Sequence, residues 1–132
     1  MHHEFAEHTT LRSALGRVRG LGSAKSGTQH WWHQRVTSVL LLPLTLWFVL
    51  SAALLAGASY AETVAWIARP HNAVLLLATI GLSFHHTAAG AQVILEDYVN
   101  QEWARMGSIL AVKAICALLA LASALAVLRI AV

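Results

Sequence analysis

The chain has 132 residues, of which 58% are apolar and only 11% charged, and its formal net charge is +3. An ordinary soluble domain is about 25% charged, so water is not this chain's main solvent. The positive excess comes largely from Arg12, Arg17, Arg19, Lys25 and Arg35, ahead of the first apolar run. It has little aromatic interleaving and no nucleic-acid motif, which argues for a membrane-surface segment and against a nucleic-acid arm.

Residues 1–29 form a polar N-terminal segment with glycine at 16, 20, 22 and 27. Its apolar spots Leu11, Leu15 and Val18 suffice for an amphipathic turn or two, so a disordered or partner-bound segment is the default expectation. It has no early apolar stretch, no small-residue cleavage site and no twin-arginine pair, so a removed signal peptide is not expected and the first span is expected to target the chain. Residues 30–132 are expected to form an all-α anchor of three transmembrane helices, about 33–59, 71–97 and 104–130.

The run Val36–Ala58 carries no charge. At 1.5 Å per residue it covers the roughly 30 Å of hydrocarbon, with Pro43 tolerated as a possible kink site. A short polar link with Glu62, Arg69 and Pro70 makes helices one and two antiparallel neighbours, and Tyr60 and Trp66 suit an interfacial belt. The second run, Asn72–Leu95, ends at Glu96 and Asp97. The third, Met106–Val127, is interrupted only by Lys113, placed to snorkel towards the headgroups. The single cysteine, Cys116, gives neither an intrachain disulfide nor a thiolate set for an iron-sulfur cluster. Five Lys and Arg residues precede helix one and single ones occupy the later flanks, which predicts a cytoplasmic N-terminus. The loop after helix two, with Asp97, Tyr98 and Glu102, falls on the same side.

An ionisable side chain inside a span is costly, which singles out His85 and His86 in the second helix. Neutral imidazole is a usual axial ligand of a haem held between helices. Gly90, one turn beyond His86 on the same face, leaves room for a macrocycle or a neighbouring helix. Asp97 shares that face, eleven residues or about three turns on, whereas His85 is rotated by about 100°. Neither other span holds an imidazole, so a bis-histidine haem needs its second ligand from another chain. The alternative is a histidine that merely bonds a carbonyl or hydroxyl on a neighbouring helix.

The Tyr98 phenol can donate to a quinone carbonyl, while Asp97 can hold a neighbouring arginine or relay protons from water. The alternative for this pair is a plain interfacial anchor. Arg35 heads helix one within His30-Trp31-Trp32-His33-Gln34-Arg35, where a guanidinium suits a haem propionate or the Asp97 carboxylate. It equally suits a positive flank with tryptophans in the headgroup layer. Thr37 and Ser38 read as helix-packing residues.

The pattern His86-x3-Gly90-x6-Asp97-Tyr98, with the Trp-Trp-His-Gln-Arg-Val-Thr lead-in to helix one, resembles the membrane-anchor family of succinate dehydrogenase, the smaller cytochrome b anchor of complex II. The similarity covers roughly Gly27 to Val132. It implies a complex with a flavoprotein subunit, an iron-sulfur subunit and a second cytochrome b anchor, in a two-anchor helical bundle in a bacterial inner membrane. The two anchors then share one haem b and a ubiquinone site. On that resemblance His86 is the axial ligand from this chain, Arg35 and His30 lie near the haem, and Tyr98 with Asp97 serves the quinone. It also implies a non-catalytic subunit: with no flavin fingerprint or cysteine cluster, the isolated chain is not expected to oxidise succinate. A fumarate reductase anchor and a cofactor-free membrane adaptor are the competing readings. A small transporter is disfavoured, since no inverted repeat or mid-membrane acid is present.

Overall fold

The computed structural model describes Ser13, Leu15 and residues 27–132. The polar segment expected over 1–29, with Arg12, Arg17, Arg19 and Lys25, lies almost wholly outside the described residues. Among residues 27–132 the elements are four helices: α1 (Gly27–Leu54), α2 (Tyr60–Ile67), α3 (Pro70–Tyr98) and α4 (Glu102–Ala131). No strand occurs among the described residues. α1, α3 and α4 are each long and apolar enough to cross a membrane, as the charge-free runs predicted.

The first helix differs from the predicted 33–59. It begins at Gly27, runs unbroken through Pro43 and stops at Leu54. The stop is local: Gly57 takes a φ of +85°, a left-handed turn that a side chain resists. Ser59 then starts a new helix within what the sequence suggested was only a polar link. Its hydroxyl accepts from the Glu62 amide, while the Ser59 amide donates to Glu62 Oε2 at 2.7 Å, a reciprocal capping box.

The backbone amide of Ser59, and secondarily its hydroxyl, hold the Glu62 carboxyl below its ordinary value of 4.5. The carboxyl's folded-state pKa is therefore depressed. The capping contribution is present above the unfolded value and is lost as pH falls through the folded one. The Ser59 amide-proton resonance should titrate with a midpoint below 4.5, and that titration should vanish in Glu62→Gln. Ser59→Ala should cost about 1 kcal/mol of local stability, read as faster amide exchange in α2.

Two contacts fix α2 across the end of the bundle. Trp66 stacks on Trp47 of α1 with ring centroids 5.7 Å apart, and Asn72 Nδ2 donates to the Trp66 carbonyl at 2.7 Å. Asn72 is only 3% exposed, so this bond satisfies a buried amide, on a carbonyl that also accepts from the Arg69 backbone amide at 3.3 Å.

A three-residue link, residues 99–101, turns α3 into α4 as an antiparallel hairpin. α3 is the central helix: it packs most extensively on α4 and next on α1, and α1 makes no close backbone approach to α4. The interior is small. The buried apolar side chains among the described residues are Ala73, Leu76 and Cys116, while Leu42, Leu46, Leu110 and Leu118 are well exposed. Such an outer surface would be unstable in water and is ordinary in lipid, which solvates leucine as well as another helix does. Two hydroxyls within the spans bond their own helix: Thr79 Oγ1 donates to the Leu75 carbonyl at 2.7 Å and Ser108 Oγ to that of Ala104 at 2.6 Å.

Candidate functional site

The two histidines of α3 face different neighbours. His86 turns towards α1 and is half-buried, with Nδ1 3.0 Å from Thr37 Oγ1 and Nε2 3.4 Å from Gln34 Nε2. His85 is exposed and lines a cavity of about 410 Å³ against Lys113 and Cys116 of α4. The 100° rotation between successive helical residues separates them, and the cavity beside His85 is bordered by His33 of α1 as well as by α4.

On the α1 side the elements meet through Thr37, which is buried. Its hydroxyl lies 2.9 Å from the carbonyl of His33 and 3.1 Å from that of Gln34. Gln34 fills the space left by Gly90: a Cβ built on Gly90 would come within 3.3 Å of Gln34 Nε2. That space therefore receives the neighbouring helix, one of the two occupants the sequence allowed. Gln34 Oε1 is buried and has no hydrogen-bond partner. Gln34 carried no expectation from the sequence and Thr37 only that of a packing residue. The available signal was that 34 and 37, three apart, put two polar groups on one face of the lead-in to an apolar helix.

The other candidate residues spread along the same end of the bundle. The Arg35 guanidinium lies over the ring of Trp31, 5.1 Å from its centroid, and not against Asp97. Trp31 and Trp32 are about half exposed, so this cation–π contact lies at the surface of the α1 lead-in. His30 lies on the α1 backbone, but its side chain is outside the described part of the structure. Asp97 and Tyr98 are the last residues of α3 and both are exposed, the phenol 81%. Twelve residues separate His86 from Tyr98, roughly 18 Å of axial rise. The structure thus joins His86 to α1 and leaves Tyr98 and Asp97 open at the helix end.

A haem b would find His86 here, and, against the expectation that the first span holds no imidazole, α1 also carries His33, which borders the cavity beside His85. Among the described residues no cluster of three or more metal-ligating side chains exists, and His86 could offer a haem a single imidazole. The residue fits that role. One nitrogen is anchored on a hydroxyl, and the other is engaged only at 3.4 Å by a side-chain amide.

Comparison with known proteins agrees with the motif. The profile of the Succinate dehydrogenase/Fumarate reductase transmembrane subunit family matches residues 9–120. The chain is similar to the succinate dehydrogenase hydrophobic membrane anchor subunit of Rickettsia bellii, with 36% identity over 104 residues, 78% of this chain and 82% of the relative. It is also similar to the succinate dehydrogenase membrane anchor subunit of Reclinomonas americana, with 34% identity over 69% of this chain and 78% of the relative. The hydrophobic membrane anchor subunit of Paracoccus denitrificans is 33% identical over 61% of this chain and 63% of the relative. No solved structure matches the chain.

Proposed function

This chain belongs to the succinate dehydrogenase/fumarate reductase transmembrane subunit family, and on that premise we propose that it co-ligates a haem b and forms part of a ubiquinone-reduction site in succinate dehydrogenase. The carrying observation is His86: an imidazole inside a membrane span, anchored at Nδ1 and weakly held at Nε2. A ring nitrogen left with so weak a partner inside a membrane span is a cost that a ligated metal would offset. The names of the relatives favour the succinate-oxidising direction over a fumarate reductase.

In this reading the chain docks the flavoprotein and iron-sulfur subunits on the cytoplasmic face of a bacterial inner membrane, with its own N-terminus on that face. A second cytochrome b anchor completes the bundle and would supply the other haem ligand. His86 Nε2 is the ligating atom of this chain, and Arg35 with His30 offers positive charge and donors for the propionates. When bound, the haem supplies one-electron redox capacity inside the membrane. Tyr98 donates its Oη–H to a carbonyl of ubiquinone and so stabilises negative charge as it develops on that oxygen. Asp97, next to it at the water boundary, accepts and passes protons from the cytoplasmic side. The quinone takes up two electrons and two protons in all, the electrons coming from succinate through the soluble subunits.

The high exposure of Tyr98 supports a site completed by another subunit, because an isolated chain offers no second wall for a headgroup. Affinity purification of this chain from detergent-solubilised membranes, followed by mass spectrometry and an optical spectrum, tests the proposal. Three co-purifying subunits and a reduced b-type haem band are expected. The 3.0 Å contact between His86 and Thr37 also gives the adaptor reading an observation of its own, since a hydroxyl on a neighbouring helix satisfies the imidazole. Partners without haem would establish that reading, and purification alone would sink both.

A further inference from the structure

We propose that Thr37 is a positioning residue that sets the tautomer and ring plane of His86, presenting Nε2 as a lone pair. The proposal rests on His86 being the ligand, and it names what makes that imidazole competent.

The argument starts from proton counting. A threonine hydroxyl has one proton and two lone pairs. Thr37 Oγ1 lies 2.9 Å from the His33 carbonyl and 3.1 Å from the Gln34 carbonyl. Carbonyls only accept, so the proton is shared between them in the bifurcated pattern usual for threonine in a helix. Towards α3 the oxygen can then only accept, and at 3.0 Å the His86 Nδ1 must be the donor. A neutral imidazole carries a single N–H, so Nε2 is left as the lone pair. Gln34 Nε2 faces that nitrogen at 3.4 Å, as a weak donor would.

The same contact fixes geometry. Thr37 is β-branched, buried and tied to its own helix, so its oxygen is a rigid point. A ring bonded to a rigid point at Nδ1 loses freedom about its second torsion, and its plane is set before any ligand arrives. Hydrogen bonding at Nδ1–H also raises the basicity of Nε2, which favours the more oxidised state of a ligated iron.

The test uses the whole complex purified from membranes. Thr37→Val keeps size and branching and removes the acceptor. The expected result is an upward shift of the haem midpoint potential, together with a changed low-spin EPR g-tensor, which follows the ligand ring planes. Thr37→Ser, which keeps the oxygen, should return both to the parental values. Both are read per assembled haem, so a purely structural role that only lowers yield would move neither. If valine blocks assembly, Thr37→Ala carries the same two readings with less bulk. Unchanged potential and g-tensor in the hydroxyl-free variants would overturn the proposal, as would a serine variant that shifts as far as valine. In either case a haem still lost in His86→Ala would leave the ligand assignment standing, whereas a haem retained there would remove the ligand reading itself.

Discussion

Replacing His86 with alanine should abolish the reduced b-type haem band of the purified complex, while His85→Ala should leave it in place. Both substitutions remove an imidazole from adjacent positions of one helix, so general damage to the membrane segment cannot explain a difference between them. The contrast comes from where α3 points each ring. His86 is pinned against Thr37 on the α1 side, and His85 is exposed on the cavity side towards α4. The effect of His86→Ala should be a complete loss, not a weakening. Among the described residues no other imidazole contacts Thr37 of α1, and ligation needs an orbital within bonding distance. A band that persists in His86→Ala would reject the assignment at once, and loss in both variants would point to collapse of the helix pair.

Tyr98→Phe should preserve succinate oxidation with a soluble artificial acceptor and lower quinone reduction by about ten- to a hundredfold. The range follows from a hydrogen bond to a charged group being worth about 1.5–3 kcal/mol, with about 1.4 kcal/mol per factor of ten. Phenylalanine keeps the ring and its packing surface and loses only the donor. The residue is the last of α3 and is largely exposed, so the substitution disturbs no internal contact of this chain. Equal activity of variant and parent with both acceptors would show that Tyr98 is an interfacial anchor. Equal loss with both would place the defect in assembly.

These two residues illustrate what was legible in advance. The number of spans was readable because the hydrocarbon thickness sets a length that uncharged runs either meet or miss, and Val36–Ala58, Asn72–Leu95 and Met106–Val127 meet it. Helix ends were less readable. A window of hydropathy does not register that Gly57 turns left-handed, or that Ser59 and Glu62 cap each other, so α1 was drawn past its end and α2 was missed. The position of His86 relative to Asp97 and Tyr98 follows from helical periodicity alone. What that imidazole touches does not.

The sequence by itself determined a three-span membrane anchor, the depth and relative phase of its ionisable residues, and the family those spacings resemble. Those properties depend on composition and on the fixed rise and rotation of a helix, both local. Only the tertiary structure decided that α3 lies between its two neighbours, that Gln34 occupies the space beside Gly90, and that Thr37 holds His86 by Nδ1. Those contacts join residues about fifty positions apart in the chain. In lipid, with no hydrophobic drive to pair one apolar face with another, such pairing depends on close packing and on a few hydrogen bonds between helices.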